Sequence, residues 1–283
     1  MARQIPDTIS ETGRQVEQTA REAVRNPWTE RLARLGYAAR GVVYALVGVL
    51  AAQTALGGRR ASRMADTQDV LEVVARQSTV LLWLLALGLF GYVLWRLVQG
   101  VLDPENEGSD AKGLTVRAGM VASGLIYGVL ALAAVRIASG SGGGDGVEGW
   151  TADLMTKPFG RWLVALAGIA VVASGCVQVW RGWSGRFRRH LKLQEMDAAE
   201  HRLAMYAGRF GLIARGVVFL LSGWFLIRAA VRFDVSQAQG LGGALEALAL
   251  QPYGSWLLAL AALGLLAFGA YSILLARYRR IVL

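Results

Sequence analysis

The sequence predicts an all-α polytopic membrane protein, with six transmembrane helices built as three parallel two-helix repeats in a pseudo-threefold ring. Apolar runs, a one-sided distribution of basic residues and a motif that occurs three times lead to that class. Of the 283 residues, 54% are hydrophobic and 18% charged, against about a quarter charged in a typical soluble domain. Charge-free stretches run from Gly41 to Gly58, Gln77 to Trp95, Ala118 to Val135, Trp162 to Trp180 and Ala247 to Ala276. A sixth, Gly216 to Ile227, is cut short by Arg215 and Arg228. A spanning helix needs about 20 mainly apolar residues, so spans are expected near 36–57, 79–101, 118–138, 161–181, 210–230 and 255–276. This composition excludes a soluble enzyme domain, a disulfide scaffold and a disordered tail. The one cysteine, Cys176, falls inside a span and leaves no disulfide framework or cysteine zinc site.

The first 30 residues are polar and lack the apolar core of a secretory signal. Thr8-Ile9-Ser10-Glu11 has the form of a capping box. Ile5, Ile9, Val16, Ala20 and Ala23 follow at roughly helical intervals, up to Asn26-Pro27. Residues 1–30 are therefore expected to be a cytoplasmic segment, either amphipathic helix or disordered chain.

From there the chain divides into repeat 1 (31–110), repeat 2 (111–200) and repeat 3 (201–283), each with two spans. Arg34-Leu-Gly36-Tyr-Ala-Ala-Arg40-Gly41-Val-Val-Tyr44 opens the first span. Arg117-Ala-Gly119-Met-Val-Ala-Ser123-Gly124-Leu-Ile-Tyr127 opens the third, and Arg209-Phe-Gly211-Leu-Ile-Ala-Arg215-Gly216-Val-Val-Phe219 the fifth. The even spans open on Trp83-Leu-Leu-Ala-Leu-Gly88, Trp162-Leu-Val-Ala-Leu-Ala167 and Trp256-Leu-Leu-Ala-Leu-Ala261, the last two preceded by Pro158-Phe-Gly160 and Pro252-Tyr-Gly254. Repeats that each hold two spans all start on the same side, so they are related by an axis along the membrane normal. Glycines at helical spacing, such as Gly41 with Gly48 and Gly216 with Gly223, are expected to bring the odd helices together at that axis.

Between paired spans, Thr67 to Arg76 and Leu241 to Leu250 have apolar residues at helical spacing and are expected to be short helices in the outer interface. Ser139 to Gly149 is glycine-rich and is expected to be a flexible loop. With these spans, eighteen Lys and Arg residues fall on the side of the termini and six on the other. That bias places both termini in the cytoplasm. The net charge of +10 thus lies against anionic lipid headgroups, the expected partners together with the bilayer itself. Arg186-Phe187-Arg188-Arg189-His190 reads as a positive-inside anchor, and no nucleic acid is expected to bind.

The triplicated motif resembles the bacterial integral-membrane family known as domain of unknown function 1206, a helix pair that occurs three times per protein. The resemblance covers residues 31–281 and implies a multi-pass protein of the bacterial plasma membrane. It implies no activity.

The candidate chemistry is sparse. No Asp, Glu or His lies inside these spans, so the usual intramembrane proton relay or cation site is missing, and neither metal nor cofactor is expected. Ser123, Ser174 and Ser222 have no triad partners, and no P-loop or G-x-S-x-G motif occurs, so an enzyme is not expected. Arg40 and Arg215 sit a turn or more inside their spans, with Tyr44 and Phe219 four residues on. Two readings stay open: the arginines snorkel to headgroups, or they bind an oxyanion in a cytoplasm-facing cavity with Tyr44 and Ser123. Ser123 stands where the other repeats have arginine, which counts against a role for three equivalent arginines. The function expected is binding or translocation of a small anionic solute or lipid. The alternative is a structural or scaffolding subunit acting through its basic loops.

Overall fold

The computed structural model describes residues 27–57, 67–104, 107–141 and 146–279. Of the N-terminal segment expected over residues 1–30, residues 1–26 lie outside the described residues, and 27–30 belong to the first helix. Pro27 opens α1 (Pro27–Gly57), at a position where a missing backbone N–H costs a helix nothing. There follow α2 (Thr67–Gln77), α3 (Thr79–Leu102), α4 (Ala111–Ala138), α5 (Gly146–Met155), α6 (Gly160–Ser184), α7 (Ala198–Arg232), α8 (Leu241–Ala249) and α9 (Gly254–Tyr278). Six of these, α1, α3, α4, α6, α7 and α9, are long and apolar enough to cross a membrane. Helix α7 starts twelve residues before its expected span. Asp197 caps it by accepting from Ala199 N and Glu200 N, while the Glu200 carboxylate accepts from Asp197 N in return.

Each repeat is a long helix, a short helix and a second long helix. The short helices α2 and α8 occupy the expected segments, with Val70, Leu71, Ala244 and Leu245 buried against the bundle. The flexible loop expected at 139–149 is a correction: from Gly146 the chain is helical, and α5 packs on α6 with Thr151 buried. Glycine content concealed it, because the packing residues lie after the glycines. The turns into α6 and α9 place Phe159 and Tyr253 at φ 63° and 64°, a region that bulky residues rarely adopt. The glycine that follows is obligatory. A Cβ on Gly160 or Gly254 would stand 1.7 or 1.8 Å from the carbonyl oxygen of Leu154 or Ala249. Phe159, Trp162, Tyr253 and Trp256 are exposed around these turns, as interfacial anchors are.

The long helices pack most closely across repeats: α3 with α4, α6 with α7, and α9 with α1. These three seams follow one another around the ring. Here the glycine-face expectation needs correction, because Gly41, Gly124 and Gly216 face the preceding repeat's second helix rather than each other. A Cβ on Gly41 or Gly216 would lie 2.9 Å from the carbonyl oxygen of Gly269 or Gly175. One on Gly124 would lie 3.3 Å from Arg96 Cβ. Small residues allow this close approach where lipid offers no hydrophobic drive between helices.

The first arginine of each motif stitches the same seams. Arg34 donates to the carbonyls of Ala276 (2.9 Å) and Arg277, at the end of α9. Arg117 donates to Gly100 and Val101 at 2.9 and 2.8 Å, and Arg209 to Trp183 at 3.1 Å. Carbonyls in a helix's last turn lack intrahelical donors, so each arginine caps the helix before it. Equivalent bonds set the register: Gly100, Gly182 and Ala276 correspond, and so do Arg96, Gln178 and Ser272. In this register Trp83 lies three residues, almost one turn, further along its helix than Trp162 and Trp256 do on theirs.

Within repeats the packing is unequal. Helices α1 and α3 lie together, as do α7 and α9, but α4 and α6 barely touch. Gly36 faces the Tyr92 backbone and Gly211 that of Phe268, so closely that a Cβ would stand 2.6 and 2.4 Å away. Their counterpart Gly119 has nothing within 4 Å of that position. The ring is open at one place.

Candidate functional site

The second arginine of the motif builds the center of the molecule. Arg40 lies six residues beyond Arg34, about 9 Å deeper at 1.5 Å per residue. Its guanidinium donates to the Tyr92 hydroxyl at 2.5 Å and to Ser272 Oγ at 3.1 Å across the α9–α1 seam. Arg215 holds the same place on α7. It donates to Gln178 Oε1 across the α6–α7 seam and to the Tyr127 hydroxyl at 3.3 Å. Tyr127 in turn donates to the Tyr44 hydroxyl at 3.3 Å, so α4 and α1 meet there.

Sequence reasoning missed a third guanidinium. Arg96 donates to the Tyr92 hydroxyl at 2.8 Å and to Gln99 Oε1 at 3.1 Å. In the register above, Arg96 on α3 takes the place of Ser272 and Gln178, while Ser123 on α4 takes the place of Arg40 and Arg215. The two residue types have changed sides across the α3–α4 seam. Ser123 therefore does not end the threefold arrangement of arginines: each seam holds one, and at this seam it comes from the other helix.

Aromatic rings separate the cations. The guanidinium carbons of Arg40 and Arg215 lie 4.8 and 4.7 Å from the Phe268 ring centroid. Those of Arg40 and Arg96 both lie 5.1 Å from the Tyr92 centroid. Arg215 also lies 4.8 Å from Tyr44 and 4.1 Å from Phe219. A desolvated cation over a ring gains about 2 kcal/mol. Neighboring guanidinium carbons that share a ring are then no more than about 10 Å apart. Two unit charges at 9 Å and an effective dielectric constant of about 20 repel by about 2 kcal/mol. Among the described residues no carboxylate pairs with Arg40, Arg96 or Arg215. The acceptors are phenol, amide and hydroxyl oxygens, and the Nε atoms of Arg40 and Arg215 are buried without a partner.

Of the four residues expected to form a site, the structure gathers Arg40, Arg215 and Tyr44, all buried. Ser123 is half-buried one turn before Tyr127 and makes no hydrogen bond to either arginine. The arginines are 5% and 8% exposed, so they do not line the cavity expected to open toward the termini. On that side the fully buried Tyr37 ring lies 5.4 Å from the Arg40 guanidinium carbon, with Arg279 4.8 Å from the same ring. Phe187, from the loop between α6 and α7, packs edge-on against Tyr271 at 5.6 Å.

The model for Domain of Unknown Function (DUF1206) matches the chain three times, over residues 35–103, 118–185 and 210–279. The chain belongs to this family. Each match spans one helix, short helix, helix unit, so the DUF1206 unit is the structural repeat. The chain is 36% identical over 256 residues to "Uncharacterized protein YxxB" of Bacillus subtilis (strain 168), covering 89% of this chain and 92% of that one. No solved structure matches the chain. This DUF1206 protein is a multi-pass membrane protein with an arginine cluster among its spans.

Proposed function

We propose that the protein binds an oxyanion within the membrane at Arg40, Arg96 and Arg215, as a non-enzymatic binding or transport protein of the bacterial plasma membrane with cytoplasmic termini. One observation carries this reading: the buried guanidinium groups of Arg40 and Arg215 and the half-buried one of Arg96 lie in one cluster, with no carboxylate paired to them among the described residues. Buried charges without partners are strongly destabilizing. An arginine near a membrane center costs about 2.5–3.5 kcal/mol on insertion scales. A bound anion offsets both that cost and the mutual repulsion. Planar guanidinium groups match phosphate or carboxylate oxygens two at a time, which an ammonium does not.

The test is thermal unfolding of the purified protein in neutral detergent, with inorganic phosphate against chloride at matched ionic strength. A ligand at 100 times its Kd adds about 2.7 kcal/mol of stability. Phosphate should raise the Tm of the wild type but not that of Arg40→Lys or Arg215→Lys. Equal shifts in all three proteins, or none in the wild type, would overturn the reading. The orientation rests on the eighteen-to-six bias in basic residues. A cysteine at position 188, with Cys176 replaced, should resist labeling from outside intact cells.

A further inference from the structure

The opening between α4 and α6 lies beside the arginine cluster. On α4, register places Ala118, Gly119, Ala122 and Ile126 where α1 has Leu35, Gly36, Ala39 and Val43. Val43 and its α7 counterpart Val218 are fully buried, but Ile126 is 52% exposed. On α6, Ala170, Ala173, Ser174 and Val177 stand where α3 has Gly88, Gly91, Tyr92 and Trp95. The α3 residues are all buried and the α6 residues all exposed. The walls are thus apolar and small, and they face the hydrocarbon between the two least buried spans.

A polar path leads inward from this cleft. Ser174 is exposed at its wall, and its hydroxyl accepts from Gln178 Nε2 at 3.3 Å. Gln178 accepts from Arg215, whose other bond goes to Tyr127 on α4. The Arg215 guanidinium therefore spans from one wall helix to the other, at the back of the cleft, with its Nε unpartnered. Ser174 also occupies the register position of Tyr92 and Phe268, the rings that separate the other arginines. Between Arg215 and Arg96 the second helix of the repeat supplies no ring; only Tyr127 of α4, 4.7 Å from the Tyr92 ring, stands there, and the α6 side is open.

We infer that the oxyanion is the phosphate of an anionic membrane phospholipid, whose acyl chain lies in the α4–α6 cleft and whose headgroup reaches Arg215 from the side. This rests on the oxyanion reading and adds its source and its route. Four features of the molecule favor a lipid over a soluble anion. The cluster lies about 9 Å inside the layer of helix-end caps. Toward the termini the fully buried Tyr37 ring lies beside Arg40. The open side faces hydrocarbon. Its charge is uncompensated and positive, which suits an acidic headgroup.

The experiment is native mass spectrometry of the full-length protein released from nanodiscs of phosphatidylglycerol and phosphatidylcholine in equal amounts. The wild type should retain one phosphatidylglycerol, and Arg215→Lys should lose at least tenfold of that occupancy. Gly119→Leu and Ser174→Phe, which fill the cleft from opposite walls, should lose it to the same degree. Gly57→Leu, at an open position far from the cleft, is the control for general effects of an added leucine. Suppose phosphate raises the Tm in an arginine-dependent way, but both cleft variants retain lipid like the wild type. The lateral route then falls and the oxyanion reading stands. If neither phosphate nor lipid depends on Arg215, the oxyanion reading falls as well. A second copy of the chain in place of lipid, seen as a lipid-free dimer that the cleft variants dissociate, would also overturn the proposal. Circular dichroism and size exclusion on each variant identify any that has failed to fold, and the variant on the opposite wall then decides.

Discussion

Repeats 1 and 3 hold their two long helices together, glycine against backbone, whereas in repeat 2 the same two helices part. The motifs are nearly the same, and Gly36, Gly119 and Gly211 occupy one register position. The facing residue differs: the main chain of Tyr92 or Phe268 lies against the glycine while its ring is buried in the arginine cluster, and Ser174 has no ring to bury. A glycine notch permits the close approach, and the buried ring goes with it. The contrast shows that the seams between repeats, not the pairs within them, hold this fold together. All three seams persist while one pair is open.

The largest expected effect that sharpens this contrast comes from filling the notch. Gly211→Leu and Gly36→Leu drive a side chain into main-chain atoms, beyond the roughly 1–3 kcal/mol of ordinary overpacking. Neither should yield monodisperse protein by fluorescence-detected size exclusion. Gly119→Leu should elute like the wild type. If it fails as badly as the other two, the second pair closes in the membrane and the comparison is broken.

Next comes the changed side of the arginine. Arg96→Ser takes the guanidinium from the α3–α4 seam, and Ser123→Arg alone adds a second cation there. Together they rebuild the arrangement of the other seams. In denaturant unfolding the double variant should recover about 1–2 kcal/mol relative to the sum of the singles, as directly coupled residues do. Additive losses would mean that the two positions are not equivalent.

A smaller effect concerns the helix-end caps. Arg34→Ala and Arg117→Ala each remove two bonds to carbonyls, and Arg209→Ala removes one. Each bond contributes about 1 kcal/mol net, so thermal unfolding should rank Arg209→Ala as the mildest. The smallest lies in the turn after α7. Hydrogen bonds from Ser236 and Gln237 hold the Asp234 carboxyl below its usual range. Stability from it is complete above the ordinary carboxylate pKa and fades as pH falls through the lowered value. Asp234→Asn should therefore melt slightly below the wild type at neutral pH, and the gap should vanish in strong acid.

Much of this was legible in the sequence, and the exceptions have physical causes. Hydropathy finds all six spans because the bilayer forces about 20 apolar residues into each. The triplicated motif exposes Arg34, Arg117 and Arg209 as equivalents, but their acceptors are backbone carbonyls, which no side-chain pattern records. Arg96 was missed for a different reason. Counted from the tryptophans, it aligns with Gly175 and Gly269 and looks like an isolated cation. Only the seam bonds, which reset the count by three residues, place it with Gln178 and Ser272 and disclose its exchange with Ser123. Gly119 reads like its counterparts because an open notch and a filled one carry the same glycine.

The closing seam, where Arg34 on α1 grips the end of α9, joins the beginning of the bundle to its end. A ring closed in this way has the geometry of a homotrimer of helix pairs, here concatenated into one polypeptide. Identical subunits in such a trimer present identical interfaces, so a gap in one pair is a gap in all. Concatenation lifts that constraint. One protomer-equivalent is free to lose its buried ring and hand its arginine across the seam while the other two stay shut. The result is an assembly with a single side door, something a strictly symmetric trimer of the same parts cannot have.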